Sequence, residues 1–423
     1  MTEVVRLGIA GLGTVAQGLL DILARNQTLM RERSGVELEI TRVASRTAKP
    51  DLDLLGAQFS TNLDDLLGDD VDVVVELIGG EHAALGLVEK ALQAGKRVVT
   101  ANKAIIARHG EQLQAARGGS GLRFEAAVAG AIPILNGLRE GLVANHVDQV
   151  VGIINGTCNF ILTSMEASGT SFVDALAEAQ ALGYAEADPT FDVDGIDAAH
   201  KLTILAALAF DCGYDFNAVY TEGIRAISAE DIAYAAELGY RIKHVGIAQR
   251  TPDGIQARVH PALIPVRQLL ASVDDVTNAV LVRSDNAGQT LFTGPGAGAL
   301  ATASAVLADV VSVATWQPEN ITSIAREVAF LPIEATHTAS YLRIPVRDEP
   351  GVFANVGQVL SSRNISIEAA IQKEPSVGQD SVHIVILTGA GAEPGFVSAV
   401  AELQQLPVVT GTIARVRVES LEG

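Results

Sequence analysis

Val5-Arg6-Leu7-Gly8-Ile9-Ala10 runs directly into Gly11-Leu12-Gly13-Thr14-Val15-Ala16. This is an apolar strand followed by a glycine turn and the opening of a helix. In the pattern Gly-x-Gly-x-x-Ala the first glycine allows a tight turn. The second lets the backbone approach a pyrophosphate, and Ala16 lets helix and strand pack closely. The free N–H groups at the helix start suit an anion, so Gly11, Gly13, Thr14 and Val15 are candidate dinucleotide contacts. Further apolar runs, Leu38 to Ala44, Val71 to Leu77, Arg97 to Thr100 and Leu122 to Ala127, are separated by helical stretches near Ala16 to Arg33, Ala84 to Ala94 and Ile106 to Arg117. Strands apolar on both faces and separated by helices form a parallel sheet covered on both sides. The first part is therefore a Rossmann-type α/β domain. At the end of the second strand, where an acid would receive a ribose hydroxyl, stand Ser45-Arg46-Thr47 with Lys49 behind them. Arg46 there favours a 2′-phosphate, hence NADP over NAD.

From about Pro133 to Thr315 the pattern shifts to longer helices. Strands follow near His244 to Gln249, Ile255 to His260 and Ala279 to Arg283, and Gly294-Pro295-Gly296-Ala297-Gly298 opens another helix. This reads as a central α+β domain. Pro318 to Ala335 reads as a connector. Beyond it the order is β-α-β-β-α-β: Ser340 to Val346, Val352 to Arg363, Ile365 to Gln372, Val382 to Thr388, Pro394 to Leu403 and Thr412 to Val418. That order is ferredoxin-like. The expected division is 1–132, 133–317, 318–338 and 339–423.

Of the 423 residues 48% are hydrophobic and 19% charged, as in soluble α/β enzymes. The net charge of -20 argues against nucleic-acid binding, which needs a basic face. Two cysteines, Cys158 and Cys212, form no disulfide framework and suit a reducing cytoplasm. The N-terminus lacks the pattern of a signal or transit peptide. The most membrane-like window, Gly296 to Ala314, is too polar and short to span a bilayer.

The chemistry concentrates in Ala185-Glu186-Ala187-Asp188-Pro189-Thr190-Phe191-Asp192-Val193-Asp194-Gly195-Ile196-Asp197-Ala198-Ala199-His200-Lys201. A helix beginning near Asp197 is apolar almost all round and therefore buried. Asp197 and Lys201, spaced i,i+4, share one of its faces. Five acids and a lysine beside a buried helix point to a polar substrate rather than a structural ion pair. Val98-Val99-Thr100-Ala101-Asn102-Lys103 places a second lysine past the carboxyl end of a parallel strand, where ligands bind in open sheets. Ile153-Ile154-Asn155-Gly156-Thr157-Cys158-Asn159-Phe160 offers short polar groups at a helix start. Cys158 invites a thiol mechanism, a phosphorylating aldehyde dehydrogenase being the competing reading. No histidine lies near it in sequence, however, and cysteine is commonly a small buried hydrophobe.

Taken together, these motifs resemble homoserine dehydrogenase along essentially the whole chain. The most specific block runs from Leu182-Gly183-Tyr184 through Asp192, Asp197 and Lys201. The C-terminal unit, with Asp348-Glu349-Pro350-Gly351 and Asn364, is similar to an ACT domain. The resemblance implies reversible NAD(P)H-dependent reduction of L-aspartate 4-semialdehyde to L-homoserine, a step toward threonine, methionine and isoleucine. It implies Lys201 as proton donor, Lys103 touching cofactor and substrate, and Gly183, Glu186, Asp192 and Asp197 around the substrate, with Glu186 and Asp197 holding its ammonium. Gly296 would join the cofactor contacts. A structural sodium ion would sit on main-chain oxygens of Glu125, Val128, Gly130 and Ile132. Asp348, Gly351 and Asn364 would receive a regulatory amino acid such as threonine, in a homodimer or homotetramer. Ala16 departs from the glycine frequent at that position of the fingerprint.

Overall fold

A computed structural model of the chain describes residues 3–118, 120–315, 328–373 and 381–421. They gather into two compact units. The first draws on Met1–Ile154, His200–Asn217 and Thr277–Val328, the second on Asn155–Ala199, Ala218–Val276 and Ala329–Gly423.

In the first unit six parallel strands form one sheet: β1 (Glu3–Ala10), β2 (Val36–Ala44), β3 (Gln58–Ser60), β4 (Val73–Glu76), β5 (Arg97–Thr100) and β6 (Leu122–Arg123). Their order is β3-β2-β1-β4-β5-β6. The connections reverse direction between β1 and β4, and ligands of such sheets lie beyond the carboxyl ends at that crevice. The first and third of the expected helices are α1 (Thr14–Ser34) and α3 (Lys103–Ala116), with α2 (His82–Gln93) between them. Leu7, Ile9, Val73 and Val75 of the central strands are fully buried with Leu19 of α1. Each such side chain is worth roughly 1.5–3 kcal/mol. The Ala299–Thr315 helix crosses α1 where Gly18 has no side chain, because a Cβ there would overlap the Ala299 carbonyl.

The strand expected over Leu122 to Ala127 stops at Arg123. Glu125 is buried, its N–H donates to Asp309 Oδ2 at 2.6 Å, and its carboxylate accepts the N–H groups of Leu135 and Asn136. The backbone therefore leaves the ladder and coils through Glu125–Ala127. Among the strands not expected are Val147–Ile153 and Gly288–Pro295. Both flank Thr277–Ser284, Val147–Ile153 and Gly288–Pro295 pairing with it antiparallel from either side. Gly288–Pro295 carries glycine, proline and an exposed threonine, so its composition conceals an edge strand.

The second unit is organised on the hairpin Tyr240–Thr251 and Gly254–Pro265. The helices Gly156–Ser168 and Ala229–Glu237 pack with it around Cys158, Ile161, Leu162, Ile232 and Leu263. The C-terminal strands lie in the order Ala414–Val418, His337–Arg347, Ser381–Thr388, Ile367–Gln372, with the helices Val352–Ser362 and Glu393–Leu403 between them in sequence. This is the expected ferredoxin-like arrangement. Ala414–Val418 also runs parallel to Gly254–Pro265, Ala262 facing Arg417. Of the expected connector, residues 318–327 lie outside the described residues. Phe330–Leu331 beyond them adds a short parallel strand at Ile255 and Gln256. No helix among the described residues is long and apolar enough to cross a membrane.

Candidate active site

Gly11 has φ +98°, and a Cβ there would lie 2.7 Å from the Leu77 carbonyl oxygen. Its N–H donates to Ala44 O at 2.7 Å, which pins the turn to the end of β2. Gly13, by contrast, has nothing within 4 Å of its missing side chain and caps α1 without a side-chain hydrogen bond. Thr14 is exposed and Val15 half-buried at the helix start, while Ala16 is fully buried. A tight turn, an open approach and unpaired helix N–H groups fit a dinucleotide pyrophosphate. Arg46 is exposed two residues beyond Ala44, beside this turn. Gly296 lies against the amide of buried Asn278, which a side chain at 296 would overlap.

At the crevice Glu76 ends β4 fully buried. Its carboxylate accepts from the N–H groups of Ile78 and Gly79 and from Thr100 Oγ1 at 2.5 Å. Burial pushes its pKa up, against these hydrogen bonds. Asn102 donates to Gly80 O at 2.6 Å and caps α3, whose first residue is Lys103. Glu76 thus holds the Leu77–Gly80 loop and the approach to Lys103 in one network. The sequence reading passed over it, although a lone acid closing an apolar strand before Gly79-Gly80 is a usable signal.

The acid-rich block resolves into the short helix Thr190–Val193, a turn at Gly195 (φ +85°) and the helix Ile196–Phe210. Asp197 is buried and Asp192 half-buried. One side chain joins them: Asn155 Nδ2 donates to Asp192 Oδ1 at 2.7 Å and to Asp197 Oδ2 at 2.9 Å. Asn155 Oδ1 caps the Gly156–Ser168 helix by accepting the Cys158 N–H at 2.7 Å, and this fixes which way the amide faces. Thr157 Oγ1 donates to Tyr184 O at 2.7 Å and reaches Asp192 Oδ2 at 3.4 Å, holding the turn that follows Gly183 (φ +77°). Glu186 is exposed on that same connection, with its main-chain oxygen accepting from Gln180. Cys158 is buried, its thiol facing Asp192 O at 3.2 Å. It therefore acts as a packing residue. Lys201, one turn beyond Asp197, is part-buried and donates to Ile154 O at 2.7 Å.

His244 packs beside Gly195 and was not singled out from sequence. Burial depresses its pKa to about 4, against the opposing pull of Glu222 and Asp197 and with His260 adding to the depression. The ring is neutral, so Nε2, 3.0 Å from Glu222 O, carries the proton. The unfolded chain binds a proton at His244 below about pH 6.5 that the folded chain refuses until about pH 4. Stability is therefore expected to fall by about 3 kcal/mol as pH drops through that window. Glu125, raised by burial to about 7, and Asp309, raised to about 6, contribute with the opposite sign. The clean measurement is thus chemical denaturation of wild type against His244→Gln. The variant should lose less stability between pH 6.5 and 4, and parallel curves would contradict the assignment.

The loop expected to bind sodium turns through Ala129 (φ +55°) and Gly130 (φ +56°), with Val128 and Ile132 buried on either side. In the C-terminal unit, Gly351 (φ +92°) opens the Val352–Ser362 helix, and Asn364 (φ +56°) lines a surface groove with Gly357, Ser361 and Ser366. Asp348 is exposed near Gln372.

Family models of the homoserine dehydrogenase NAD-binding domain, homoserine dehydrogenase and the ACT domain match residues 11–126, 133–311 and 340–408. The homoserine dehydrogenase of Pseudomonas aeruginosa is 48% identical, covering 99% of each chain. The crystal structure of a homoserine dehydrogenase from Thiobacillus denitrificans superposes with a TM-score of 0.93 at 46% identity, covering 99% of each chain. A hyperthermophilic archaeal homoserine dehydrogenase in complex with NADPH gives 0.62 at 26% identity, over 75% of this chain and 99% of that one. Both the glycine turn and the acid-bearing helix fall inside matched regions, and the chain belongs to the homoserine dehydrogenases, NAD(P)-dependent oxidoreductases, with a C-terminal ACT domain.

Proposed function

We propose that the enzyme prefers NADPH and holds the ammonium of L-aspartate 4-semialdehyde or L-homoserine on Asp192 and Asp197, with Glu186 and the Gly183 main chain completing the contact. The observation that carries this reading is the Asn155 amide, which spends both its hydrogens on the two carboxylates. Two charged acceptors kept side by side, one of them buried, suit a ligand cation with several donors. The bound nicotinamide supplies the hydride. Lys201 meets the charge that develops on the carbonyl oxygen and gives it a proton, taking that proton back in the reverse direction. Lys103, at the positive start of α3, orients cofactor and substrate. Gly11, Gly13, Thr14 and Val15 carry the pyrophosphate, Gly296 lies along the cofactor, and Arg46 pairs with the 2′-phosphate.

In the same reading residues 1–132 bind cofactor and 133–317 bind substrate and assemble a homodimer or homotetramer. Residues 318–338 connect these to the regulatory residues 339–423. Main-chain oxygens of Glu125, Val128, Gly130 and Ile132 take a structural sodium ion, helped by the two left-handed residues that turn the loop inward. L-Threonine binds at Asp348, Gly351 and Asn364.

Homoserine-dependent reduction of NADP and of NAD, with and without L-threonine, tests the reading. A charge-assisted contact at Arg46 is worth about 1.5–3 kcal/mol, so kcat/KM should favour NADP by about tenfold or more. Arg46→Ala should bring the ratio close to unity, and equal use of both cofactors by the wild type would defeat the assignment. L-Threonine should lower the wild-type rate, and an unchanged rate removes it as the effector.

A further inference from the structure

We infer that Arg417, on the last strand of the C-terminal module, is a positioning residue for the substrate acids and acts through Glu222. The inference rests on the reading that Asp192 and Asp197 hold the substrate ammonium. The turn between those two acids does not stand alone. Residues 220–225 lie against it as a strap: Ile224 N–H donates to Val193 O at 2.9 Å, and Arg225 Nε pairs with Asp194 Oδ1 at 2.5 Å. Gly223 has no side chain because a Cβ would overlap the Val193 carbonyl. Gly195 is packed by Thr221 of the strap and by His244, whose Nε2 donates to Glu222 O. The last residue before Asp197 is Ile196. The strap therefore packs against the turn from which the helix carrying Asp197 starts.

The C-terminal strand grips the strap at Glu222. Arg417 Nη1 donates to Glu222 Oε2 at 2.6 Å, and the guanidinium lies over the Tyr220 ring at 5.2 Å. Tyr220 Oη donates to the same carboxylate oxygen at 3.0 Å. Arg417 cannot drift, since its other nitrogens are committed to Glu393, Nη2 to Oε1 at 2.6 Å and Nε to Oε2 at 3.3 Å. Glu393 is itself clamped by Arg415 at 2.7 and 2.8 Å. Burial alone would raise the Glu393 pKa, but the two arginines outweigh it and hold it at about 2, so the clamp stays charged at neutral pH. Arg417 is 7% exposed and Glu222 38%. This contact is thus the grip of the regulatory strand on substrate affinity, and movement of Ala414–Val418 reaches the acids without touching the substrate.

The test is steady-state homoserine oxidation by full-length Glu222→Gln and Gly223→Ala, with Asp197→Asn alongside. Arg417 itself is avoided, since its removal strands buried Glu393. Displacing a binding group slightly should raise the homoserine KM about three- to tenfold in both strap variants, with the NADP KM within about twofold. The half-exposed Glu222 site should leave the melting temperature of Glu222→Gln within a few degrees of wild type. Unchanged homoserine KM in Glu222→Gln overturns the inference, whatever Gly223→Ala does. So does a parallel rise of both KM values with a lowered melting temperature, which marks a merely structural contact. If Asp197→Asn raises the homoserine KM and the strap variants do not, the strap role alone fails. If Asp197→Asn has no effect, the reading of the acids fails and takes the strap with it.

Discussion

Lys201→Met is expected to lower kcat by about 10²–10⁴ in both directions while NADPH affinity stays within about twofold of wild type. Methionine keeps an unbranched stem on a helix whose neighbours Leu202, Thr203, Ile204 and Leu205 are all buried, so the fold is preserved. What disappears is the ammonium, held by Ile154 O at 2.7 Å. That carbonyl aims the nitrogen, and a positioned ammonium both answers the charge of a developing alkoxide and supplies its proton. A factor of about 10³ corresponds to about 4 kcal/mol of transition-state stabilisation, within reach of a positioned acid that also answers charge. NADPH binding by fluorescence titration, together with single-turnover rates, separates the chemical step from binding. If Lys201→Met keeps more than about a tenth of the wild-type kcat and Lys103→Met does not, the proton travels through Lys103 instead.

Five strands of the first sheet were legible because they are apolar on both faces and the helices are not, whereas the short, largely exposed Gln58–Ser60 was not expected. Arg97–Thr100 appears with the expected bounds, and the C-terminal β-α-β-β-α-β order is realised element by element. The failures have local causes. Leu122 to Ala127 looked like a strand because Phe124, Ala126 and Ala127 are apolar, but the buried Glu125 claims backbone N–H groups ten residues onward and bends the chain. Gly288–Pro295 was missed because its ladder is supplied by Thr277–Ser284 and not by its own composition.

The candidate acids and lysines could be named from the sequence, whereas the groups that hold them in place could not. Asp192, Asp197 and Lys201 stand in one block, whereas Asn155, which joins the acids, lies 37 residues before Asp192. A capping asparagine gives no sign in sequence of what its spare amide hydrogens will meet. Arg417 and Glu222 are 195 residues apart and belong to elements that periodicity treats as unrelated. Glu76 and His244 each look like a stray polar residue in an apolar strand. Their partners include main-chain groups of loops, which no residue pattern announces.

The second large effect is expected at Asp197. Asp197→Asn keeps the size and shape of a buried side chain but removes its charge and turns one acceptor into a donor. Charge-assisted contacts are worth about 1.5–3 kcal/mol, and more where one member of a buried polar set is lost, so the homoserine KM should rise about 10- to 100-fold. The NADP KM should hardly move, because Gly11 and Gly13, proposed to carry the pyrophosphate, lie on a different element. Asp192→Asn should have a smaller effect, since Asp192 is only half-buried and part of its work can be taken by water. The double variant is the sharper measurement. Both carboxylates accept from the same Asn155 Nδ2, so the two losses should combine less than additively, with a coupling of about 0.5–3 kcal/mol. Strict additivity would mean that the acids bind separate groups, and an unchanged homoserine KM in Asp197→Asn would mean that the ammonium is held elsewhere.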